Sequence, residues 1–171
     1  MKRKEVTVPQ HYIPKHLSRK MREKQKKELR KSRKMYKKKM YYTRKKIPTF
    51  KSRRSRHINV LKKIYKLKDE DMTLEEISKK SGCSIKSLNE IIGKGMGAYY
   101  SSGSRPNQTP HSWGVARLYS SLTGGPSSKY DRHILEEGCK KNSLALKLSN
   151  KPRTNTRRRK IKLGGKTRKH K

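Results

Sequence analysis

Apolar positions recur at helical spacing between residues 55 and 139; on either side they thin out and lysine and arginine take over. In "SRHINVLKKIYKLKDED", Ile58, Leu61, Ile64 and Tyr65 form one stripe with Lys62, Lys63, Lys66 and Lys68 mostly off it, which predicts an amphipathic helix. "TLEEISKKSGCSIKSLNEIIGKG" reads as two more. Thr73 and Glu76 have capping-box spacing, Leu74, Ile77 and Ser81 share a face, and Gly82 stops the first helix as a left-handed cap. Ser84 then caps a second helix carrying Ile85, Leu88, Ile91 and Ile92. Small Ser78 before Gly82, with Leu88 and Ile91 after it, is the spacing of a helix-turn-helix. The second helix exposes Lys86, Ser87, Asn89 and Glu90, a thin basic set for a major groove. A packed helix pair is the expected role, with base reading the alternative.

"GKGMGAYYSSGSRPNQTP" has four glycines and two prolines and is expected to be mostly loop, with one short turn at Ala98–Tyr100. "HSWGVARLYSSLTGG" returns to a helix, capped by Thr109 or Ser112 and ended by Gly124, Gly125 and Pro126. Trp113, Ala116 and Ser120 lie on one of its faces, beside Val115, Leu118, Tyr119 and Leu122. "SSKYDRHILEEG" predicts a last helix, capped by Ser127 or Ser128, with Tyr130, Ile134 and Leu135 inward and Gly138 as its stop.

The flanks carry weaker patterns. "VPQHYIPKHL" is expected to be extended, with Val8, Tyr12, Ile13 and Leu17 available for packing. Ser18 to Lys39 has no glycine or proline and predicts a helix. Its stripe of Met21, Leu29, Met35 and Tyr36 is broken, and its like charges repel until phosphates neutralise them; a solvated, partly disordered arm fits the composition equally. A Pro48-containing linker follows. After residue 139 periodicity fades, and from Asn150 the chain reads as a basic low-complexity tail. The expected architecture is all-α: a basic arm over 1–54, a small helical domain over 55–139 and a basic tail over 140–171.

Charge sharpens that division. Of the 171 residues, 50 are Lys or Arg and 12 are Asp or Glu, a formal +38. Residues 1–68 hold 28 basic and three acidic residues, 69–139 eight and nine, 140–171 fourteen and none. Such a cation binds polyanions, nucleic acid first among them. Exposed basic candidates are Lys26, Lys27, Arg30, Arg33, Lys37, Arg44, Arg53, Arg54, Arg157, Arg158 and Arg159. No apolar run reaches membrane-spanning length and no secretory leader is visible. Cys83 and Cys139 allow one bridge but are expected as reduced, buried thiols.

Catalytic signals are sparse. The six histidines have no ligand-like spacing with one another or with the cysteines, and the acids form no paired-carboxylate pattern, so neither metal nor cofactor is expected. His111 near Arg105 reads as a capping or hydrogen-bonding side chain rather than a base. "GGKT" at 164–167 lacks the strand and helix of a phosphate loop. For Gly95–Gly125 two roles are open: an anion nest of the Gly95, Gly97 and Gly103 amides beside Arg105 with Tyr99 and Tyr100 as a stacking surface, or a buried loop in which Arg105 anchors carbonyls or an acid such as Asp131.

The residues Gly95, Met96, Ala98, Tyr99, then Gly103, Arg105, Pro106, Thr109, Trp113, Ala116, Arg117, then Ser121, Thr123, Gly124, Gly125, Asp131, Ile134, Leu135, Glu137 and Gly138 make an extended motif. In this motif Ile77–Cys139 resembles an uncharacterised domain of large DNA viruses of algae and amoebae (phycodnavirus- and mimivirus-like), with shorter relatives in tailed phages. Phage relatives often have Arg-Pro-Gly where this chain has Arg105-Pro106-Asn107. The upstream basic segment and the "GGKTRKH" tail are similar to the algal and amoebal virus members. The resemblance implies a virion setting and, in the infected cell, cytoplasm or nucleus; it implies no reaction. The expected function is thus a non-enzymatic virion structural protein holding double-stranded DNA or acidic capsid surfaces through its arms. Tyr99, Tyr100, Arg105, Trp113 and Arg117 would form a docking surface. Alternatives are a minor capsid or scaffold protein threading between subunits and a helix-turn-helix regulator.

Overall fold

The structure, a computed structural model, describes residues 6–151 and 159–164. It is mostly helical, the all-α class that the periodicity predicts, with one short two-stranded sheet among the described residues. Two compact units share the chain: residues 6–52, 100–108 and 159–164 make the first, and residues 53–99 and 109–151 the second. The division differs from one helical domain between two arms. The N-terminal segment packs into a unit of its own, and residues 140–151 belong to the second unit.

The second unit begins with α1, Arg56–Tyr65, capped by the Ser55 hydroxyl, which accepts from the His57 N–H at 3.3 Å. In α2, Leu74–Ser81, the Thr73 hydroxyl accepts from the Glu76 N–H at 3.3 Å, and Gly82 ends the helix at φ +70°. Ser84 caps α3, Ile85–Ser101, by accepting from the Ser87 N–H at 3.3 Å. The helix pair therefore forms as its spacing predicts, except that Ser87 is buried rather than exposed.

A larger difference follows in α3, which runs through Gly93, Gly95 and Gly97 where the glycines suggest a loop. The reason is tertiary. A Cβ on Gly95 would lie 2.5 Å from the Gly114 Cα, and one on Gly114 would lie 2.6 Å from the Ile92 carbonyl oxygen. Bare backbone at Gly95 and Gly114 is what lets α3 touch α4, Pro110–Leu122, so these two glycines serve helix packing, not a turn. Thr109 and Ser112 make a reciprocal capping box at the start of α4, with Pro110 in its first turn.

Next come α5, Arg132–Gly138, and α6, Leu144–Ser149. The last is a helix the faded periodicity does not predict: Ser143 accepts from the Leu146 N–H at 3.3 Å, and Ala145 is fully buried. Leu61, Ile77, Leu88, Ile91, Leu118, Leu122, Ile134 and Leu135 form the core of this unit with Tyr65, whose hydroxyl donates to the Leu122 carbonyl at 2.9 Å. Burial raises the Tyr65 pKa above its ordinary value. Tyr130, expected inward, is 72% exposed. Residues 127–131 turn instead of opening the helix at Ser127 or Ser128, so the inward position falls to Asp131.

The cysteines also depart from expectation: Cys83 and Cys139 are joined in a disulfide, not held as thiols. The Ser84 N–H donates to the Gly138 carbonyl at 2.7 Å, and the Lys140 N–H to the Gly82 carbonyl at 2.9 Å. These bonds set residues 82–84 and 138–140 side by side as an antiparallel bridge with the two cysteines opposed. Gly138 permits this approach, since a Cβ there would fall 1.5 Å from the Ser87 hydroxyl oxygen.

In the first unit, β1, Thr7–Pro9, pairs antiparallel with β2, Lys160–Lys162, placing Val8 opposite Ile161. Neither strand is evident in the hydrophobic pattern. They lie beside helix α7, Arg19–Lys37, which precedes α1 in the chain. Val8, Ile13, Leu29 and Leu163 form a small core flanked by Tyr12 and Ile161. Polar contacts supplement it. Gln25 donates to the Tyr12 carbonyl at 3.1 Å, and the Asn107 amide spans the backbone of Ile47 and Phe50 through bonds of 2.7–2.9 Å. Asn107 has φ +58°, the left-handed conformation that glycine adopts most easily and asparagine tolerates. The Arg-Pro-Asn turn thus needs no glycine.

Candidate nucleic-acid interface

Helix α7 is two-faced. Gln25, Leu29 and Ser32 are buried at i, i+4 and i+7, and half-buried Tyr36 continues their line. Opposite them, Lys20, Lys27, Lys31 and Lys34 lie exposed at the same spacing, and exposed Lys38 at the C-cap extends their row. A helix of this kind spaces such a row over about 27 Å at 1.5 Å per residue. Glutamine and serine in the inward line hide the periodicity from a search for apolar residues. That is why the pattern in the sequence looks broken.

Charge accumulates around this row. The described residues of the first unit carry 22 Lys or Arg and two acids, a formal +20; those of the second carry 18 and nine. Both acids are engaged. Glu23 accepts from Lys26 at 2.6 Å, a bond that lowers its pKa, and Glu28 accepts from the Tyr42 hydroxyl at 2.9 Å and the Lys45 N–H at 2.8 Å. The Lys31 ammonium sits 4.3 Å from the centre of the Tyr42 ring.

The predicted basic residues differ in burial and in the unit that holds them. Lys27, Lys37 and Arg159 are exposed in the first unit, where Lys26 is half-buried in its pair with Glu23. Arg30 and Arg33 are half-buried and tie the first unit together, donating to the carbonyls of Gly164 and Ser102, each at 3.3 Å. Arg44 is 9% exposed and donates to the hydroxyls of Ser32 and Ser104, so it is a buried tether and not the surface phosphate contact expected. Exposed Arg53 and Arg54 open the second unit. Arg157 and Arg158 lie outside the described residues.

The residues expected to form a docking surface are divided between the units: Tyr100 and Arg105 belong to the first, and Tyr99, Trp113 and Arg117 to the second. Tyr99 is fully buried, Arg105 exposed, and Trp113 half-buried. It is Arg117, not Arg105, that finds Asp131: Nη2 donates to Oδ1 at 2.6 Å and Nε to Oδ2 at 2.9 Å, and the Ser121 hydroxyl adds a 2.6 Å bond. Asp131 is 0% exposed and the Arg117 side chain 22%. Motif residues Arg117, Ser121 and Asp131 are therefore a buried clamp between helices α4 and α5, which makes their role architectural.

Tyr100 belongs to a different group. In the first unit its ring is parallel to Tyr36, at 7° with centroids 6.1 Å apart. Tyr41 tilts against Tyr100 at 59° and 5.0 Å, and against Tyr36 at 57° and 6.1 Å. Tyr36 and Tyr41 were not among the predicted site residues. Their signal is an aromatic pair bracketing Lys37, Lys38 and Lys39. Among the described residues, no three His, Cys, Asp or Glu side chains gather as metal ligands, and no helix is long and apolar enough to cross a membrane.

The class these features define is a helical protein with one strongly cationic unit. Residues 9–134, most of the chain, match the model of a family of unknown function, DUF5824, and the protein belongs to that family. No curated protein and no solved structure matches the chain. The family match begins at Pro9 and takes in α7, so the cationic N-terminal helix is part of the family's own domain rather than an appendage to it.

Proposed function

We propose that the protein is a non-enzymatic nucleic-acid-binding structural protein, holding phosphate backbones on the first unit without reading sequence. The observation carrying this reading is the exposed row Lys20, Lys27, Lys31, Lys34 and Lys38 on a helix whose other face is committed to packing. Lysines at such spacing neutralise successive phosphates and release counterions. Double-stranded DNA is the proposed partner and a large DNA virus particle the proposed setting, the latter on the motif resemblance alone.

Threading between capsid subunits is the weaker reading. It needs free apolar side chains along an extended arm, and Val8, Ile13 and Leu17 are already buried. Base reading by α3 is weaker too, because burial of Ser87 leaves Lys86, Asn89 and Glu90 as its outward set near its start.

Titrating mixed-sequence duplex at a series of salt concentrations tests the proposal. Log affinity should fall linearly with log salt, at about −0.9 per phosphate contacted. Replacing Lys27, Lys31 and Lys34 together by Gln should flatten that slope by about 2–3. A slope near zero, or one indifferent to the triple substitution, overturns the assignment to this helix face.

A further inference from the structure

The three tyrosines at the end of α7 answer to nothing in phosphate binding, yet they sit inside the most basic stretch of the first unit. Tyr36 and Tyr100 stack on one another, and Tyr100 is fixed further by its carbonyl, which accepts from the Ser32 hydroxyl at 3.4 Å. Tyr41 leans on both rings and is 73% exposed, with Met40 beside it 42% exposed. A large aromatic ring anchored along one edge and open to solvent over most of its surface is costly to leave bare. Lys37, Lys38 and Lys39, all exposed, precede Met40 and Tyr41 in the chain.

We infer that Tyr41 is a base-stacking platform, and that the cationic unit takes single-stranded nucleic acid as well as duplex, one unpaired base resting on Tyr41 and the flanking phosphates on Lys37, Lys38 and Lys39. The inference rests on the proposed phosphate-binding role and adds a substrate class to it. Duplex bases are already stacked on both faces and cannot use the ring, whereas every unpaired base presents a π-face. Charge complementarity fixes the occupant: an apolar protein segment would cover Tyr41 and Met40 but would leave the three ammonium groups without counter-charge.

Tyr41→Ala and Tyr41→Trp variants of the full chain decide it. Binding is measured by fluorescence anisotropy to a short labelled mixed-sequence single strand, with duplex DNA and inorganic polyphosphate as competitors and circular dichroism as the check on folding. Tyr41→Ala should weaken single-strand binding about tenfold or more, leaving duplex and polyphosphate binding within about twofold, and Tyr41→Trp should retain it. If Tyr41→Ala binds the single strand like the unmodified protein, the platform is refuted while the phosphate-binding reading stands. Equal weakening toward all three ligands also refutes it, marking Tyr41 as structural. If the unmodified protein binds none of the three, the phosphate-binding reading has failed and the platform with it.

Discussion

Asp131 has no exposure and Arg117 little, so their two-point contact is shielded from water and salt in a way surface pairs are not. Removing the arginine strands a carboxylate with Ser121 as its remaining side-chain donor among these three residues. Arg117→Ala should therefore destabilise the protein by about 3–5 kcal/mol in urea unfolding. Arg117→Ala combined with Asp131→Asn should recover part of that loss, since the buried charge goes with its partner. An Arg117→Ala loss below about 1 kcal/mol would show that the clamp is not structural. The same reasoning explains why a conspicuous motif arginine is a poor guide to ligand contact. Arginine on a helix is read as surface until its acid is located.

At the scale of elements, α3 carries three glycines with different work. Gly95 meets the Gly114 backbone, whereas a Cβ at Gly93 would find nothing within 4 Å. Glycine inside a helix costs about 1 kcal/mol relative to alanine. Gly93→Ala should accordingly stabilise by about 0.5–1 kcal/mol. Gly95→Ala should destabilise by about 1–3 kcal/mol, because two backbones must separate to admit the methyl group. Thermal denaturation of the pair is the check, and equal shifts in the same direction would deny the α3–α4 crossing its role.

For the molecule as a whole, the first unit combines a small apolar core, clustered on Val8, Ile13, Leu29 and Leu163, with a formal +20 over its described residues. A core that small is marginal, and self-repulsion weakens it further. The N-terminal helix, expected to become stable when phosphates neutralise it, is packed through Leu29 without them; on the proposed function, polyanion should still relieve the repulsion around it. Inorganic polyphosphate should raise amide-exchange protection across residues 19–37 by about tenfold or more, at saturating ligand. Protection across residues 61–92 should change far less, because the second unit has an ample core and half as many acids as bases. No change in residues 19–37, or an equal change in both, would contradict this.

Local signals were legible wherever one residue suffices to set the backbone. Thr73, Ser84 and Thr109 cap helices, Gly82 stops one, and Leu61, Leu88 and Leu118 point inward, all as spacing and side-chain chemistry require. The helical class and the excess of positive charge follow from the sequence alone. What needed the tertiary structure is every feature whose cause lies far along the chain. Gly95 is helical because Gly114 lies against it, Cys83 pairs with a cysteine 56 residues away, and Thr7–Pro9 finds its strand partner at Lys160–Lys162. Tyr41 belongs to the same set, since only folding brings Tyr100 beneath it. A local pattern reports the preferences of neighbours; close approach between distant segments leaves no trace in spacing, and the chain must be folded before it can be seen.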